Sequence, residues 1–84
     1  MSREEILAKV KAELVSEFEI PAEKITPEAR FFEDLDLDSI DAVDLIVRLR
    51  NEWNFEVSAE EFKAIRTVDD LLAVLEKLLA AQQG

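Results

Sequence analysis

The sequence predicts an all-α fold, namely a four-helix bundle with a long loop between helices 1 and 2 and a short third helix. Three observations support this prediction. The helix formers Ala, Leu, Glu and Lys dominate the composition, whereas the chain has one Gly and two Pro. Apolar residues recur at helical spacing in separate segments. Helix-capping sequences precede these segments and mark where each helix begins.

The first helix is predicted to begin after Ser2, because Ser2 and Glu5 have the spacing of a capping box. Apolar residues then follow at helical spacing, namely Ile6, Leu7, Val10, Leu14 and Phe18. We expect the helix to end before Pro21, since the residue that precedes a proline disfavours the helical conformation.

Residues 19–38 form a long connection to the second helix. Thr26-Pro27-Glu28 is predicted to open one short turn of helix, because proline suits the first helical position. Phe31, Leu35 and Leu37 are expected to attach the loop to the core. A connection of this length is uncommon in so small a chain, and such loops are often functional.

The second helix is predicted to run from Ser39 to Trp53, with Asp38 as its N-cap. At about 100° per residue its apolar side chains fall into two stripes. The expected core stripe contains Ala42, Leu45, Ile46, Leu49 and Trp53. The second stripe contains Ile40, Val43 and Val47, beside Asp41 and Asp44. An exposed apolar stripe bordered by carboxylates suits transient docking, although the same stripe could equally pack beneath the long loop.

A third, short helix is predicted from the capping box of Ser58 and Glu61 to about Ile65. Thr67 and Asp70 cap the fourth helix. Its expected apolar face is Val68, Leu71, Leu72, Leu75, Leu78 and Leu79. The sequence contains no internal repeat, low-complexity tract or interdomain linker. We therefore expect residues 1–84 to form a single domain.

The composition excludes several classes of function. The chain contains no Cys and no His, which removes cysteine nucleophiles, thiolate metal sites and histidine bases. Its 20 acidic and 10 basic residues give a net charge of −10, which repels nucleic acid and anionic membranes. The same charge attracts proteins with basic patches, or it serves solubility alone. No segment resembles a signal peptide or a membrane span, so we expect a cytoplasmic monomer without nucleic-acid or membrane partners.

The start of the second helix allows three chemical interpretations. Asp34, Asp36 and Asp38 have the spacing of the first ligands of a calcium loop, but Ser39 and Leu45 stand where that loop requires Gly and Glu. A catalytic Ser39 lacks a histidine base. The third interpretation is modification of Ser39 by another enzyme, because a phosphodiester there would be favoured by free N–H groups and the helix dipole. Alternatively, Asp38 and Ser39 only cap the helix.

At these residues the chain resembles acyl carrier proteins. Asp34-Leu35-Asp36-Leu37-Asp38-Ser39-Ile40-Asp41 is similar to the Asp-Leu-Gly-x-Asp-Ser-Leu attachment motif of that family. Residues 60–68 resemble the family's third helix and the entry to its fourth. The resemblance extends from about Glu5 to Leu79.

The resemblance implies a carrier and not an enzyme. Ser39 would receive a 4′-phosphopantetheine cofactor from coenzyme A through a separate phosphopantetheinyl transferase, and the thiol of this arm would hold acyl intermediates as thioesters. A ketosynthase and other acyl-processing enzymes with basic docking patches would act on the cargo. The implied partner-binding residues are Asp38, Ile40, Asp41, Val43, Asp44 and Val47. The implied acyl pocket contains Leu49, Phe62 and Ile65, and no catalytic or metal-binding residue is implied.

The sequence departs from the family pattern in two places. Asp36 replaces the glycine of the motif, and aspartate accepts left-handed backbone angles better than most residues. Arg48, Arg50 and Asn51 stand where the family is usually acidic, so we expect general fatty-acid enzymes to dock poorly. The segment 37–47, together with Phe62-Lys63 and Arg66-Thr67-Val68, is also similar to carriers of aryl polyene and related polyketide-type clusters. The alternative function is an unmodified helical protein-interaction module of the same fold.

Overall fold

The computed structural model describes residues 2–53 and 55–83, and most of them are helical. The α-helices are α1 (Arg3–Phe18), α2 (Ser39–Trp53), α3 (Ala59–Ala64) and α4 (Val68–Gln83). A short 3₁₀ helix, Ala22–Lys24, lies in the loop between α1 and α2. The described residues form no β-strand, and an isolated antiparallel bridge joins Arg30 to Thr67. The predicted all-α fold, with its long first loop and short third helix, is confirmed.

Each α-helix begins at the residue that its capping sequence predicts. Ser2 Oγ accepts a hydrogen bond from Glu5 N at 3.2 Å, while Glu5 Oε1 accepts one from Ser2 N at 3.3 Å. A capping box of the same kind begins α3 at Ser58. At the start of α4, Thr67 Oγ1 accepts from Asp70 N and Asp70 Oδ2 accepts from Thr67 N, each at 3.1 Å. Each such cap contributes about 1 kcal/mol to stability.

The core is one apolar cluster to which α1, α2, α4 and the long loop all contribute. The helices supply Ile6, Val10, Leu14, Leu45, Leu49, Val68, Leu71, Leu72, Leu75 and Leu79, and the connections supply Ile20, Ile25, Ala29, Phe31, Leu35, Leu37 and Phe55. On the predicted core stripe of α2, Leu45 and Leu49 are buried and the other three members are half-buried. Leu78 of the predicted α4 face is half-buried as well. Burial of Phe55 was not foreseen.

The predicted helical turn at Thr26-Pro27-Glu28 is wrong. The turn of helix lies earlier, because Pro21 precedes it with a fixed φ of −58° and accepts a hydrogen bond from Lys24 N at 3.0 Å. At Pro27 the chain instead makes a tight turn, in which Ala29 N donates to Thr26 O at 3.0 Å. The turn places Pro27 O beside α4, where it accepts a hydrogen bond from Asp69 N at 2.8 Å.

The α1–α2 loop is joined by backbone hydrogen bonds to the residues where α4 begins. Val68 N donates to Ala29 O at 3.0 Å, in addition to the bond between Asp69 N and Pro27 O. Phe31 N donates in the opposite direction, to Arg66 O at 3.0 Å. The loop thus satisfies N–H groups that the first turn of a helix cannot pair internally. It also holds the α3–α4 junction beside residues 29–31.

Most charged side chains are exposed, and several ion pairs join α1 to other helices. Arg3 reaches α4 through Asp69 at 3.0 Å and Glu76 at 2.7 Å, and Lys9 reaches Glu52 of α2 at 3.2 Å. Exposed pairs of this kind contribute at most about 1 kcal/mol each. None of the helices in the described part of the chain is long and apolar enough to cross a membrane.

Arg30 and Asp34 close the turn that follows the bridge to α4. Asp34 Oδ2 accepts hydrogen bonds from Arg30 N at 2.8 Å and from Arg30 Nε at 3.3 Å, and Glu33 pairs with the same guanidinium at 2.6 Å. The backbone hydrogen bond from Arg30, followed by the side-chain hydrogen bond, lowers the pKa of Asp34. The hydrogen bond to Asp34 raises the pKa of Arg30 in turn.

We expect Leu49→Ala to lower the free energy of unfolding by about 2–5 kcal/mol, because the Leu49 side chain is fully buried. Val47→Ala should cost about 1 kcal/mol or less, because 43% of Val47 is exposed. Urea unfolding followed by circular dichroism gives both values from the midpoint and the slope. Equal losses in the two variants would show that Val47 belongs to the core.

The stability of the fold should fall at low pH partly through Asp34. Its folded-state pKa lies below the unfolded-chain value of about 3.9, so its contribution is complete above that pH and is lost as the pH falls through the folded-state pKa. We therefore expect Asp34→Asn to flatten the acid limb of the unfolding free energy, measured by urea titration between about pH 7 and pH 2.5. Glu28→Gln, an exposed residue of the same loop, is the control. Equal flattening in both variants would contradict this role of Asp34.

Candidate functional site

Ser39 is the first residue of α2 and is exposed. The cap of this helix is provided by its neighbours: Asp38 Oδ1 accepts from Asp41 N at 2.8 Å, and Asp41 Oδ2 accepts from Asp38 N at 3.3 Å. Asp38 O also accepts the first helical hydrogen bond, from Ala42 N at 3.0 Å. Because Asp38 supplies the capping oxygen, the fold does not require the Ser39 hydroxyl as a cap.

The bend before Ser39 depends on Asp36, which has a left-handed φ of 58°. Aspartate adopts this region at a lower steric cost than most residues other than glycine and asparagine. The bend allows Leu35 and Leu37, one on each side of Asp36, both to be buried. Leu37 N then donates to Phe31 O at 3.0 Å, which fixes the chain two residues before Ser39. Residues 35–38 thereby present Ser39 at the surface.

The second apolar stripe of α2 is exposed, and we call Ile40, Val43 and Val47 the surface stripe. Their exposed fractions are 76%, 50% and 43%. Together with Ser39, Asp41 and Asp44 they line a shallow groove of about 540 Å³. Asp38 is exposed at the Ser39 end of this groove, and so is Asp44 further along α2. The stripe therefore does not pack beneath the long loop.

A larger cleft of about 710 Å³ lies on another face of α2. Its apolar walls are formed by Phe31, Phe32, Ala42, Leu45, Ile46, Phe62, Ile65 and Leu71. Its polar lining consists of Arg30, Glu33, Lys63, Arg66, Thr67 and Asp70. Ala42 follows Ser39 by three residues, so the cleft begins within one helical turn of the exposed serine.

The structure brings two of the three predicted pocket residues to this cleft. Phe62 and Ile65 line it from the α3 side, and both are half-buried. Leu49 does not line it, because its side chain is fully buried one helical turn beyond Leu45. The walls contributed by the loop, above all Phe31 and Phe32, were missed in the sequence. The spacing of Ala42 and Leu45 from Ser39 was the signal that could have indicated the α2 wall.

The carboxylates around Ser39 do not form a metal site in the part of the chain that the structure describes. Glu17, Glu19, Asp34, Asp36 and Asp41 line a third groove of about 420 Å³ beside α1. No group of three or more acidic residues there, or elsewhere among residues 2–53 and 55–83, is arranged to hold a metal ion.

The two arginines of α2 have different surroundings. Arg48 pairs with Asp44 through Nε and with Glu17 of α1 through Nη1, each at 3.4 Å. Arg50 Nε donates to Phe55 O at 3.2 Å and so links α2 to the connection that follows it. Only Arg48 thus pairs with a residue of the stripe groove.

The local geometry suits a phosphodiester on Ser39. The first N–H groups of an α-helix have no carbonyl partner within the helix, and they carry the positive end of the helix dipole. An anion on Ser39 would lie against these groups. The stripe groove contains Ser39 itself, and the cleft begins one turn away, so an extended arm has a surface on either side.

The chain is similar over nearly its whole length to proteins of one known family. Residues 8–75 match the family model described as the phosphopantetheine attachment site. The chain is 44% identical to acyl carrier protein 2 of Ralstonia nicotianae and 42% identical to an acyl carrier protein of Thermosynechococcus vestitus, over 96% of this chain and 100% of each relative.

Solved structures show the same likeness. The acyl carrier protein of Thermotoga maritima superposes with a TM-score of 0.86 at 30% identity, covering 98% of this chain and 95% of that one. The acyl carrier protein of Enterococcus faecalis superposes with a TM-score of 0.76 at 31% identity, covering 93% and 99%. The chain therefore belongs to the acyl carrier proteins, which are carriers rather than enzymes and whose cofactor is 4′-phosphopantetheine.

Proposed function

We propose that Ser39 carries the 4′-phosphopantetheine arm and that the chain presents acyl intermediates for fatty-acid or polyketide-type biosynthesis. The observation that supports this proposal is that the residues that cap α2 are not the serine at its start. Asp38 and Asp41 cap the helix, while Ser39 is exposed and belongs to the stripe groove. When attached, the arm supplies a terminal thiol that binds the acyl group as a thioester.

Attachment requires a second protein. Ser39 Oγ would form the phosphodiester as the phosphoanhydride bond of coenzyme A breaks and 3′,5′-ADP leaves. The serine proton would pass to a base of the separate transferase, and the chain itself contains no His to accept it. The contribution of the carrier is electrostatic: the N–H groups of the first turn of α2 and the helix dipole stabilise the new phosphodiester.

The surface stripe is the proposed docking site for partner enzymes. Ile40, Val43 and Val47 offer apolar contact area, and Ile40 is the most exposed of the three. The carboxylates of Asp38, Asp41 and Asp44 border them and would attract basic patches on a phosphopantetheinyl transferase or a ketosynthase. An apolar centre with a charged border favours fast and reversible association, which a carrier that visits several enzymes needs.

The cleft is the proposed site for the acyl chain. Its volume and its apolar walls match a ligand site, and its mouth lies one turn from Ser39. Phe62 and Ile65 would contact the cargo directly. Leu49 would act behind the wall, by supporting the core against which Leu45 packs. α3 has no buried residue, so it is held less firmly by the core than the other walls of the cleft. We therefore expect α3 to be the wall that moves when an acyl chain enters.

Within this role we propose that the cargo is of the aryl polyene or polyketide type. The residues around Ser39 resemble such carriers. Phe31, Phe32 and Phe62 all line the cleft, and aromatic walls favour flat, unsaturated groups through stacking and edge contacts. The fatty-acid pathway is the alternative, and a saturated chain would occupy the same walls.

We expect the chain co-expressed with a phosphopantetheinyl transferase to gain the mass of one 4′-phosphopantetheinyl group. Ser39→Ala should abolish the gain without changing the unfolding midpoint, because Asp38 still caps α2. Ser16→Ala, which removes an exposed serine of α1, is the matched control and should keep the gain. Intact mass spectrometry measures both. An arm that persists in Ser39→Ala would refute the site, and no gain in the wild type would favour the unmodified interaction module.

We expect an octanoyl group on the arm to raise the thermal unfolding midpoint of the wild-type chain, because burial in the cleft adds apolar contacts to the folded state. Ala42→Leu should reduce this rise, since a larger side chain fills the cleft next to Ser39. Ala73→Leu, at an exposed position of α4, should leave it unchanged. Equal rises in all three chains would place the cargo outside the cleft. A cinnamoyl group should raise the midpoint at least as much as octanoyl, and a clearly smaller rise would favour the fatty-acid pathway.

A further inference from the structure

Arg48 is held between two carboxylates at the edge of the stripe groove. Its Nε lies 3.4 Å from Asp44 Oδ2 on the same helix, and its Nη1 lies 3.4 Å from Glu17 Oε1 on α1. Asp44 lines the groove together with Val47, the residue before Arg48. The guanidinium therefore borders the surface that partners are proposed to contact.

This arrangement divides the groove into two ends of different charge. At the Ser39 end, Asp38 and Asp41 accept backbone hydrogen bonds, and neither has an ion-pair partner among residues 2–53 and 55–83. At the Val47 end, the charge of Asp44 is already balanced by Arg48. A partner cation thus finds unpaired carboxylates near Ser39 and meets a cation one helical turn beyond Asp44.

Arg50 does not share this position. Its Nε donates to Phe55 O, whereas Arg48 pairs with Asp44, which lines the groove. The positive charge at the Val47 end therefore comes from Arg48 and not from the two arginines together. Arg48 is also linked to α1, because Glu17 pairs with the same guanidinium through Nη1.

We infer that Arg48 determines which partners can dock, by confining the basic contacts of a partner protein to the Ser39 end of the groove. This inference rests on the proposed docking role of the surface stripe. A partner that fits has cations opposite Asp38 and Asp41 and a neutral or acidic surface opposite Arg48. A partner whose cations extend along the whole stripe must displace Arg48 from Asp44 or face it directly, and like charges that meet across an interface oppose binding.

The test measures binding without modification, in the Ser39→Ala background, with a purified phosphopantetheinyl transferase whose docking patch is basic along its length. Arg48→Gln leaves the carboxylates of Asp44 and Glu17 free to pair with cations of the partner. The Kd of the variant for the transferase should therefore be about two- to fivefold lower at low salt than that of the Ser39→Ala parent. The difference should shrink at about 0.5 M NaCl, because screening weakens contacts between exposed charges. Arg48→Lys keeps the charge, and its Kd should stay close to that of the parent.

Lys9→Gln is the matched control. Lys9 also pairs with two carboxylates, Glu13 of its own helix at 3.9 Å and Glu52 of α2 at 3.2 Å, but neither carboxylate lines the groove. The Lys9→Gln substitution removes the same charge and a similar ion pair. The Kd of this variant for the transferase should not change. Equal tightening by Lys9→Gln would reduce the effect to net charge and overturn the inference. An unchanged or weaker Kd for Arg48→Gln, or no binding by any chain, would overturn it too. Intact mass spectrometry of the wild-type chain, co-expressed with a phosphopantetheinyl transferase, tests the proposed function independently of this binding experiment.

Discussion

The reciprocal hydrogen bonds between Asp38 and Asp41 are the interaction on which the rest of the site depends. They pair the orphan N–H of the third helical residue and define where α2 begins. Since both capping oxygens are carboxylate oxygens, the first helical residue, Ser39, needs no structural hydrogen bond from its side chain. A serine at that position can be exposed at no cost to the fold. The same two aspartates also place negative charge next to the serine, so one interaction both caps the helix and shapes the electrostatic field at the proposed attachment point.

The side chains of α2 face three different environments, namely the core, the cleft and solvent, because the helix has 3.6 residues per turn. Leu45 and Leu49 bury their side chains in the core, Ala42 and Ile46 face the cleft, and the surface stripe faces solvent. None of these surfaces can be shifted along the helix without shifting the others. The distances from Ser39 to the cleft and to the surface stripe are therefore determined by helix geometry rather than by a loop.

Local signals predicted the elements well, because caps and apolar spacing act within a few residues. The start of all four helices and the burial of Leu35 and Leu37 follow from such patterns, whereas the apolar spacing alone left open whether the surface stripe is exposed or packs beneath the loop. Contacts between distant segments were not predictable in the same way. The turn at Pro27 is determined by its bond to Asp69, and the surroundings of Arg50 by a carbonyl beyond the end of α2. Phe31 and Phe32 reach the cleft because the loop crosses to the start of α4. This crossing cannot be predicted from the spacing of nearby residues.

The backbone of Phe31 joins two regions that are far apart in sequence. Its N–H donates to Arg66 O at the α3–α4 junction, its C=O accepts from Leu37 N just before α2, and its ring lines the cleft. A molecule that pushes the α3–α4 junction outward must stretch one of these bonds or draw segment 31–37 with it. These hydrogen bonds thus link the wall of the cleft to the backbone two residues before Ser39. If the cleft holds the acyl chain as proposed, a loaded carrier would therefore differ from an empty one in the shape of the surface beside Ser39.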